Sequence, residues 1–395
     1  MIPVTSRQSR DTETTSESAR QSAVSVTRGV TGDETAVGTT LDSESYRFLV
    51  SIHSVTQAHF YRHAIEALRE NGHQIRVCVR ETAMISELLT AFDIEHRVLA
   101  HSHSSAPGRI FSAANYEIKL LGEAWRFKPD VITSYGGIGI SYIAPLVGAK
   151  ALAVTETPSR VRKLLTAPSI DATCTPSEFE GSVRGEQFQY DGFQELAYLH
   201  PDRFEPKPHR LRRFGVDPDK RNFVVGFDSW RLYGDDDTGL SPQEKRELIS
   251  LLSHHGDVHI TSEETVPGPF ENYEVSTPPD LFHDLLATAD LYIGDSETVA
   301  TEATLLGTPS IRVVSRPEDD STNLEALTTL SCSSSDGHST VEELEELLGE
   351  PGVQRQWEKR REELLDNPVD VTTYVVEKLE VLGYESRHEP HRLYE

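Results

Sequence analysis

The sequence predicts an α/β protein of two domains built from strand–helix–strand units, and three observations predict it. The chain has 395 residues, enough for two compact domains once some unstructured sequence is allowed for. Its opening reads strand, loop, helix, strand, with strands at Tyr46–Ile52 and His73–Val79 at the usual crossover length. The stretch from Ala289 to Val314 repeats the pattern: an apolar strand at Leu291–Gly294, a polar turn at Asp295 and Ser296, a helix over about 298–306, then Gly307, Pro309 and a second strand.

The chain is organised around that last unit. Its helix start presents unpaired backbone N–H groups and a partial positive charge beyond the carboxyl end of a parallel strand, where a pyrophosphate can sit. Ser296 occupies the N-cap position, where its hydroxyl either caps the helix or turns to a phosphate oxygen. Val299, Ala303 and Leu306 fall at i, i+4 and i+7 and predict the buried face. Thr298 and Glu302 fall on another edge, which predicts a cleft lining, with Glu302 placed either as an ordinary surface carboxylate or as the acceptor of two vicinal ribose hydroxyls. Gly307 ends the helix.

In the first half, the loop after the opening strand lacks G-x-G-x-x-G, which argues against an ordinary dinucleotide site. It offers His53, Gln57 and His59 at the carboxyl edge of the sheet, where ligands bind in open α/β folds; capping and packing are the alternatives for both histidines. Helices are predicted over about 82–92 and 110–127, with a short strand near Arg97 between them. A strand at Val131–Ser134 then runs into Tyr135-Gly136-Gly137-Ile138-Gly139, glycines that let backbone approach a ligand or let a helix pack closely. The next strand, Ala151–Thr155, ends at Glu156 beside Arg160, Arg162 and Lys163, which reads as a general base among cations or as a structural ion pair. Short strands are predicted at 172–174 and 187–190, and the proline-rich, charged stretch Arg203–Pro218 reads as a linker.

The second half opens with a strand at Phe223–Phe227, an acidic loop at Asp235–Asp237, a helix from Ser241-Pro242 to about Ser253 and a strand at Val258–Thr261. The acidic loop reads as solvated rather than as a metal site, because no strand immediately precedes it. Pro278-Pro279-Asp280 opens a helix carrying His283, one helix upstream of the phosphate turn and able to face a cleft. Helices at about 341–348, 354–365 and 369–382 finish the chain, the last expected to cross back onto the first domain or to support a homodimer. The expected division is a disordered tail over 1–44, a first domain over 45–203, a linker over 204–220, a second domain over 221–366 and a closing helix and tail over 367–395.

Asp and Glu number 64 against 38 Lys and Arg, a formal charge of -26 spread along the whole chain. Such a surface suits concentrated salt, where self-repulsion is screened, and points to a halophilic source. It excludes a nucleic-acid partner, which needs clustered Lys and Arg. No run of about 18 apolar residues spans a membrane, and the start lacks a secretion signal, so a cytoplasmic protein is expected, with peripheral membrane contact left open. The three cysteines, Cys78, Cys174 and Cys332, lie too far apart for a metal motif, and neither a metal nor a cofactor is expected.

Four stretches carry a resemblance: Tyr190–Pro201 (YDGFQELAYLHP), Gly239–Leu248 (GLSPQEKREL), Pro278–Asp290 (PPDLFHDLLATAD) and Ile293–Arg312. They resemble the largely archaeal family filed as domain of unknown function 354, over about Tyr46 to Glu346. The resemblance implies the GT-B glycosyltransferase architecture, two Rossmann-like domains facing across a cleft. Its second half is similar to the non-hydrolysing UDP-N-acetylglucosamine 2-epimerases, whose D-S-G-G turn binds the donor diphosphate while a Glu six residues after the Ser holds the ribose. The matching positions here are Asp295, Ser296, Glu297, Thr298 and Glu302. Glu297 departs from the epimerase Gly, and Gln57 stands where the family's first loop has His, with His59 and Phe60 in register.

The expected function is therefore a metal-independent, sugar-nucleotide-dependent glycosyltransferase acting on a glycan or lipid-linked acceptor. Ser296, Glu297, Thr298, Glu302, His283, Gly136 and Gly137 are expected to bind the nucleotide sugar, and His59 or Glu156 to take the acceptor proton. A nucleotide-sugar 2-epimerase and a catalytically silent nucleotide-sugar-binding protein are the alternatives.

Overall fold

The computed structural model describes residues 44–101, 106–156, 169–179, 181–227, 240–262, 266, 268–314, 330–333 and 340–388. The tail expected before Glu44, the basic run Arg160–Lys163 and the acidic loop Asp235–Asp237 lie outside the described residues.

The first half forms a seven-stranded, all-parallel sheet in the order β3-β2-β1-β4-β5-β6-β7. Its strands are β1 (Arg47–Ile52), β2 (Gln74–Glu81), β3 (His96–His101), β4 (Val131–Tyr135), β5 (Lys150–Val154), β6 (Ala172–Pro176) and β7 (Glu186–Tyr190). Four helices cross between them: α1 (Val55–Glu70), α2 (Ala83–Ala91), α3 (Ala106–Phe127) and α4 (Ile138–Val147). The strand side chains alternate between two cores. Phe48, Val50 and Ile52 join α1 and α2 on one face, while Leu49 joins Cys78, Ile132 and residues of α3 and α4 on the other. Burial on both faces is why the central strands β1, β4 and β5 read as largely apolar runs. The reversal of strand order falls between β1 and β4, the crevice position of doubly wound sheets.

A short helix α5 (Leu196–Leu199) leads to the second half. There β8 (Asn222–Gly226), β9 (Asp257–Thr261), β10 (Leu291–Gly294), β11 (Ser310–Val314) and β12 (Leu330–Ser333) form a parallel sheet in the order β12-β11-β10-β8-β9. Its helices are α6 (Pro242–Ser253), α7 (Phe282–Thr288), α8 (Glu297–Leu306), α9 (Thr340–Gly349) and α10 (Val353–Leu364). Ser241 starts α6 with a full capping box, its hydroxyl accepting from the Glu244 N–H and the Glu244 carboxylate accepting from the Ser241 N–H. The order reverses between β8 and β10, and the βαβ unit foreseen from Ala289 to Val314 is β10–α8–β11. The fold is thus α/β, two Rossmann-like sheets of the GT-B type.

The last helix, α11 (Val371–His388), lies on the first sheet's side of the molecule. Val371, Val375, Leu379 and Leu382 enter the same core as Phe48, Ile65 and Leu68. Polar ties hold its length: Thr372 donates to the Ala197 carbonyl at 2.7 Å, Glu380 accepts from Asn71 at 2.7 Å, and Arg387 forks onto Asp130 at 3.0 and 2.7 Å. Its buried apolar face is therefore covered within the chain, while Val381 and Tyr384 stay exposed on the opposite side.

Three features differ from the sequence expectation. The stretch read as a linker contains a 3-10 helix, Pro208–Phe214, anchored by fully buried Leu211 and by Arg210, which meets Asp280 at 2.9 Å. Prolines signalled a break in regular structure, but one apolar residue and one ion pair pack it against α7. The strand β12 carries the polar sequence LSCS, without the alternation that marks a strand. Finally, the buried face of α8 differs from the expected Val299–Ala303–Leu306 set: Ala303 is buried, Val299 and Leu306 are only half-buried, and Ala300, Thr301, Glu302, Thr304 and Leu305 are enclosed instead, because α5, α7 and α10 all pack on it.

Among the described residues no helix is long and apolar enough to cross a membrane. The net charge of -26 is expected to make the melting temperature rise between low and molar KCl, as screening removes self-repulsion. A melting curve that does not move between these salts would contradict a salt-adapted surface.

Candidate active site between the two sheets

The site is built where β10 ends. Gly294 lies in register with Gly226 of β8, at the reversal point of the sheet. A side chain at Gly294 would run into the Gly226 carbonyl and the Tyr292 ring, so the strand ends are stripped of bulk where the turn begins. Ser296 caps α8, its hydroxyl accepting from the Val299 N–H at 3.4 Å. The N–H groups of Glu297 and Thr298 have no intrahelical acceptor. Ser296 and Thr298 are partly exposed and Glu297 is exposed.

Two cations flank this turn. Arg312, in the middle of β11 and in register with Gly294, reaches Glu297 with 3.7 Å between Nη2 and Oε2. Lys245 of α6 lies over the Phe227 ring at 4.9 Å; burial lowers its pKa and the nearby Asp295 charge partly restores it. Sequence reading passed over both, since neither lies within the turn's own motif. Glu297, which would repel a diphosphate on its own, is thus turned toward an arginine.

Glu302, one turn further along α8, is buried. Its Oε1 accepts a 2.6 Å hydrogen bond from the Tyr198 hydroxyl of α5 and lies 3.1 Å from His283 Nε2 of α7. The His283 contact is close but not a hydrogen bond, and Nε2 is buried without a hydrogen-bond partner. Both contacts fall on Oε1, so Oε2 takes no hydrogen bond among the described residues. His59 of α1 packs edge-on against His283, ring centres 4.5 Å apart, and lies 5.4 Å from Tyr198. Burial, then His283, then Arg62 hold the His59 imidazole well below its ordinary pKa and hence neutral. The structure therefore brings together His59, His283 and Glu302, three residues chosen from the sequence, around Tyr198.

Glu156 sits just past β5 on the first sheet. Burial pushes its carboxyl up to about 8, against the pull of hydrogen bonds from the Tyr135 hydroxyl and the Gln194 backbone; repulsion from Glu297 adds to the rise. That repulsion links Glu156 to the α8 start on the other sheet. Beside it, buried Glu195 is held well above the usual carboxylate range by desolvation first and by Glu156 second, with Gln194 donating to its Oε1 at 3.3 Å. Glu195, Tyr198 and Tyr135 were present in quoted stretches but carried no local signal of their role; the only cue was the specificity of the Tyr190–Pro201 run.

Gly136 and Gly137 adopt φ of 80° and 71°. A Cβ on Gly137 would come within 2.7 Å of the Ala153 Cβ, so close packing against β5 fixes this glycine whatever else it does. His53 and Gln57 are taken up locally: the Gln57 side chain accepts from the His53 N–H at 2.8 Å, and the His53 ring meets Ser51 at 3.0 Å and Tyr116 edge-on. Burial, then the Arg80 charge, lowers the His53 pKa to about 4. Among the described residues no cluster of His, Cys, Asp and Glu suits a metal ion.

Replacing Tyr198 with Phe removes the donor to a buried carboxylate while keeping the ring. The expected cost is about 1–3 kcal/mol of stability, read as a lower urea midpoint at unchanged slope. A midpoint equal to that of the wild type would show that Glu302 does not depend on this bond.

No protein-family model matches the chain, and no curated protein matches it. Solved structures do. The UDP-GlcNAc 2-epimerase from Neisseria meningitidis, bound to UDP-GlcNAc, aligns with a TM-score of 0.61 at 15% identity, covering 85% of this chain and 100% of that one. The spinosyn forosaminyltransferase SpnP aligns at 0.57 and 17% identity over 87% and 100%. The calicheamicin glycosyltransferase CalG4 aligns at 0.53 and 13% identity over 88% and 100%. The chain is similar in fold to both epimerases and glycosyltransferases.

Proposed function

We propose that the protein is a nucleotide-sugar-dependent enzyme, and more narrowly a metal-independent glycosyltransferase of GT-B type. The observation that carries this reading is the α8 start at the β8/β10 reversal point, with Lys245 and Arg312 beside it. There the Glu297 and Thr298 amides and the helix dipole receive the diphosphate, with Ser296 adding its hydroxyl. Glu302 keeps Tyr198 on one oxygen and gives the other, Oε2, to a ribose hydroxyl.

Glu156 faces this turn from the first sheet and serves as the base, with a pKa near operating pH. Its carboxylate takes the acceptor O–H proton as the acceptor oxygen bonds to the anomeric carbon. The bond from that carbon to the diphosphate breaks, and the diphosphate leaves with the electron pair, stabilised by the α8 amides and Arg312. Gly136 and Gly137 border the acceptor side. His59 and His283, packed against Tyr198, shape the wall between the two sheets. Membership of the domain of unknown function 354 family, carried by the Tyr190–Pro201 run, and a salt-rich cytoplasm belong to the same reading.

A specific observation favours a second reading. Glu156 and Glu195 are two buried acids at one place with raised pKa values, and a 2-epimerase needs acid and base groups around one sugar ring. A thermal-shift screen in molar KCl against UDP, GDP and dTDP sugars, followed by product analysis, separates the two. Stabilisation with transfer to an added acceptor is expected; a 2-epimer formed without acceptor would replace the first reading by the second. Stabilisation without any turnover would leave a binding protein, and no stabilisation by any donor would overturn all three.

A further inference from the structure

Seven of the eleven large hydrophobic side chains exposed among the described residues lie on α3 and α4. On α3, Phe111, Ile118 and Trp125 recur every seven residues and are 71, 71 and 62% exposed, with Ile110 beside them. On α4, Ile138, Tyr142 and Leu146 recur every four. The two helices adjoin: Gly139 of α4 packs so tightly on the Glu117 carboxylate of α3 that a Cβ there would collide with it. Ile138 and Ile118 each neighbour one side of that contact in sequence, and the two helices pack on one another, so the two stripes lie on adjoining helices of the same layer. We propose that two copies of the chain associate through this surface, with α3 antiparallel to its counterpart about a two-fold axis at Ile118.

The spacing is what such a contact requires. A seven-residue repeat keeps a stripe facing a second helix over about four turns, and small Ala114 and Gly122 beside the stripe permit close helix approach. Ile118 is the midpoint between Phe111 and Trp125, so an isologous pairing places Ile118 against itself and Phe111 against the partner's Trp125. The seven side chains together expose on the order of 800 Å², about one partner's share of a standard interface, and more than scattered surface residues on a monomer present.

A lipid surface fits less well. The basic side chains that would rim a lipid-binding patch are engaged: Lys119 donates to the Leu99 carbonyl at 2.7 Å, and Arg97 and Arg126 meet Glu123 at 2.7 and 3.3 Å. A chain of net charge -26 is also repelled by anionic headgroups. The surface shares no exposed side chain with the candidate active site, so the association stands or falls independently of the substrate.

Sedimentation velocity of the full chain at tens of micromolar in molar KCl is expected to show a dimer, and Ile118→Glu a monomer with unchanged circular dichroism. Because a charged variant can fail to fold, Ile118→Cys gives a second reading: on copper-phenanthroline oxidation it is expected to yield a disulfide-linked dimer that the wild type does not form. A monomeric wild type, a dimer that survives Ile118→Glu, or cross-linking of Ile118→Cys no greater than that of the wild type would each overturn the proposal. So would flotation of a monomeric wild type with phosphatidylglycerol vesicles, which would assign the surface to lipid.

Discussion

Glu156→Gln is expected to lower turnover by roughly 10²–10⁴-fold, the usual contribution of a positioned general base, while leaving donor-induced thermal stabilisation in place. The amide keeps the shape of the side chain but cannot accept the acceptor proton. Wild-type activity is expected to rise with pH through about 8, where the Glu156 carboxyl ionises. The same group sets a stability trend of opposite direction. Its carboxyl holds a proton up to about 8 in the folded chain but only to its ordinary value of 4.5 when free. Between those values the folded state binds more protons than the unfolded one, so stability falls as pH rises. Below that window both states are protonated and nothing is lost; above it both are ionised and the loss is constant. Glu195, raised for the same reason, contributes with the same sign. Relative to wild type, Glu156→Gln should therefore gain stability from pH 4.5 to pH 8, on the order of a few kcal/mol. Urea unfolding at both ends of the window measures it. A Gln variant that is equally active, or whose relative stability is flat across the window, would remove Glu156 from the proposed role.

Leu379→Ala is expected to cost about 2–5 kcal/mol, the range for emptying a fully buried leucine site, and in a marginally stable chain this approaches global unfolding. Leu379 is fully buried in α11 and shares a core with Phe48, Ile65 and Leu68 of the first sheet's layer. Although it lies near the end of the chain, it fills an interior formed by the beginning. The exposed neighbour Val381 on the same helix provides the control, since its truncation should change stability by less than about 0.5 kcal/mol. A Leu379→Ala protein with wild-type stability would mean that α11 is an ornament on a core complete without it.

Much of this architecture could be read from local signals. Ser296 as a cap, Gly307 as a stop and Pro309 before the next strand are encoded within a few residues, and the β10–α8–β11 unit appears where those residues place it. Apolar runs of the first sheet were equally legible, because burial on both faces writes itself into composition. What could not be read depends on distant partners. Tyr198 and Glu302 are 104 residues apart, and nothing near either one announces the other. Glu195 lies in a recognisable run, yet its raised pKa arises from the protein that buries it and then from Glu156. Leu211, buried in the second half's core, and the Arg210–Asp280 ion pair turned an apparent linker into a packed element. The helix α3 was legible only as a helix; which of its faces stays open is decided by α4 and by β3.

The central claim is that a nucleoside diphosphate group is held by the start of α8. A crystal of the full chain grown in molar salt with UDP, GDP or dTDP measures this directly. Phosphate oxygens are expected within hydrogen-bond distance of the Glu297 and Thr298 amides, with Lys245 or Arg312 on the charge and a ribose hydroxyl on Glu302 Oε2. A nucleotide bound with its diphosphate away from that helix, and with Ser296 still capping an unoccupied turn, would contradict it.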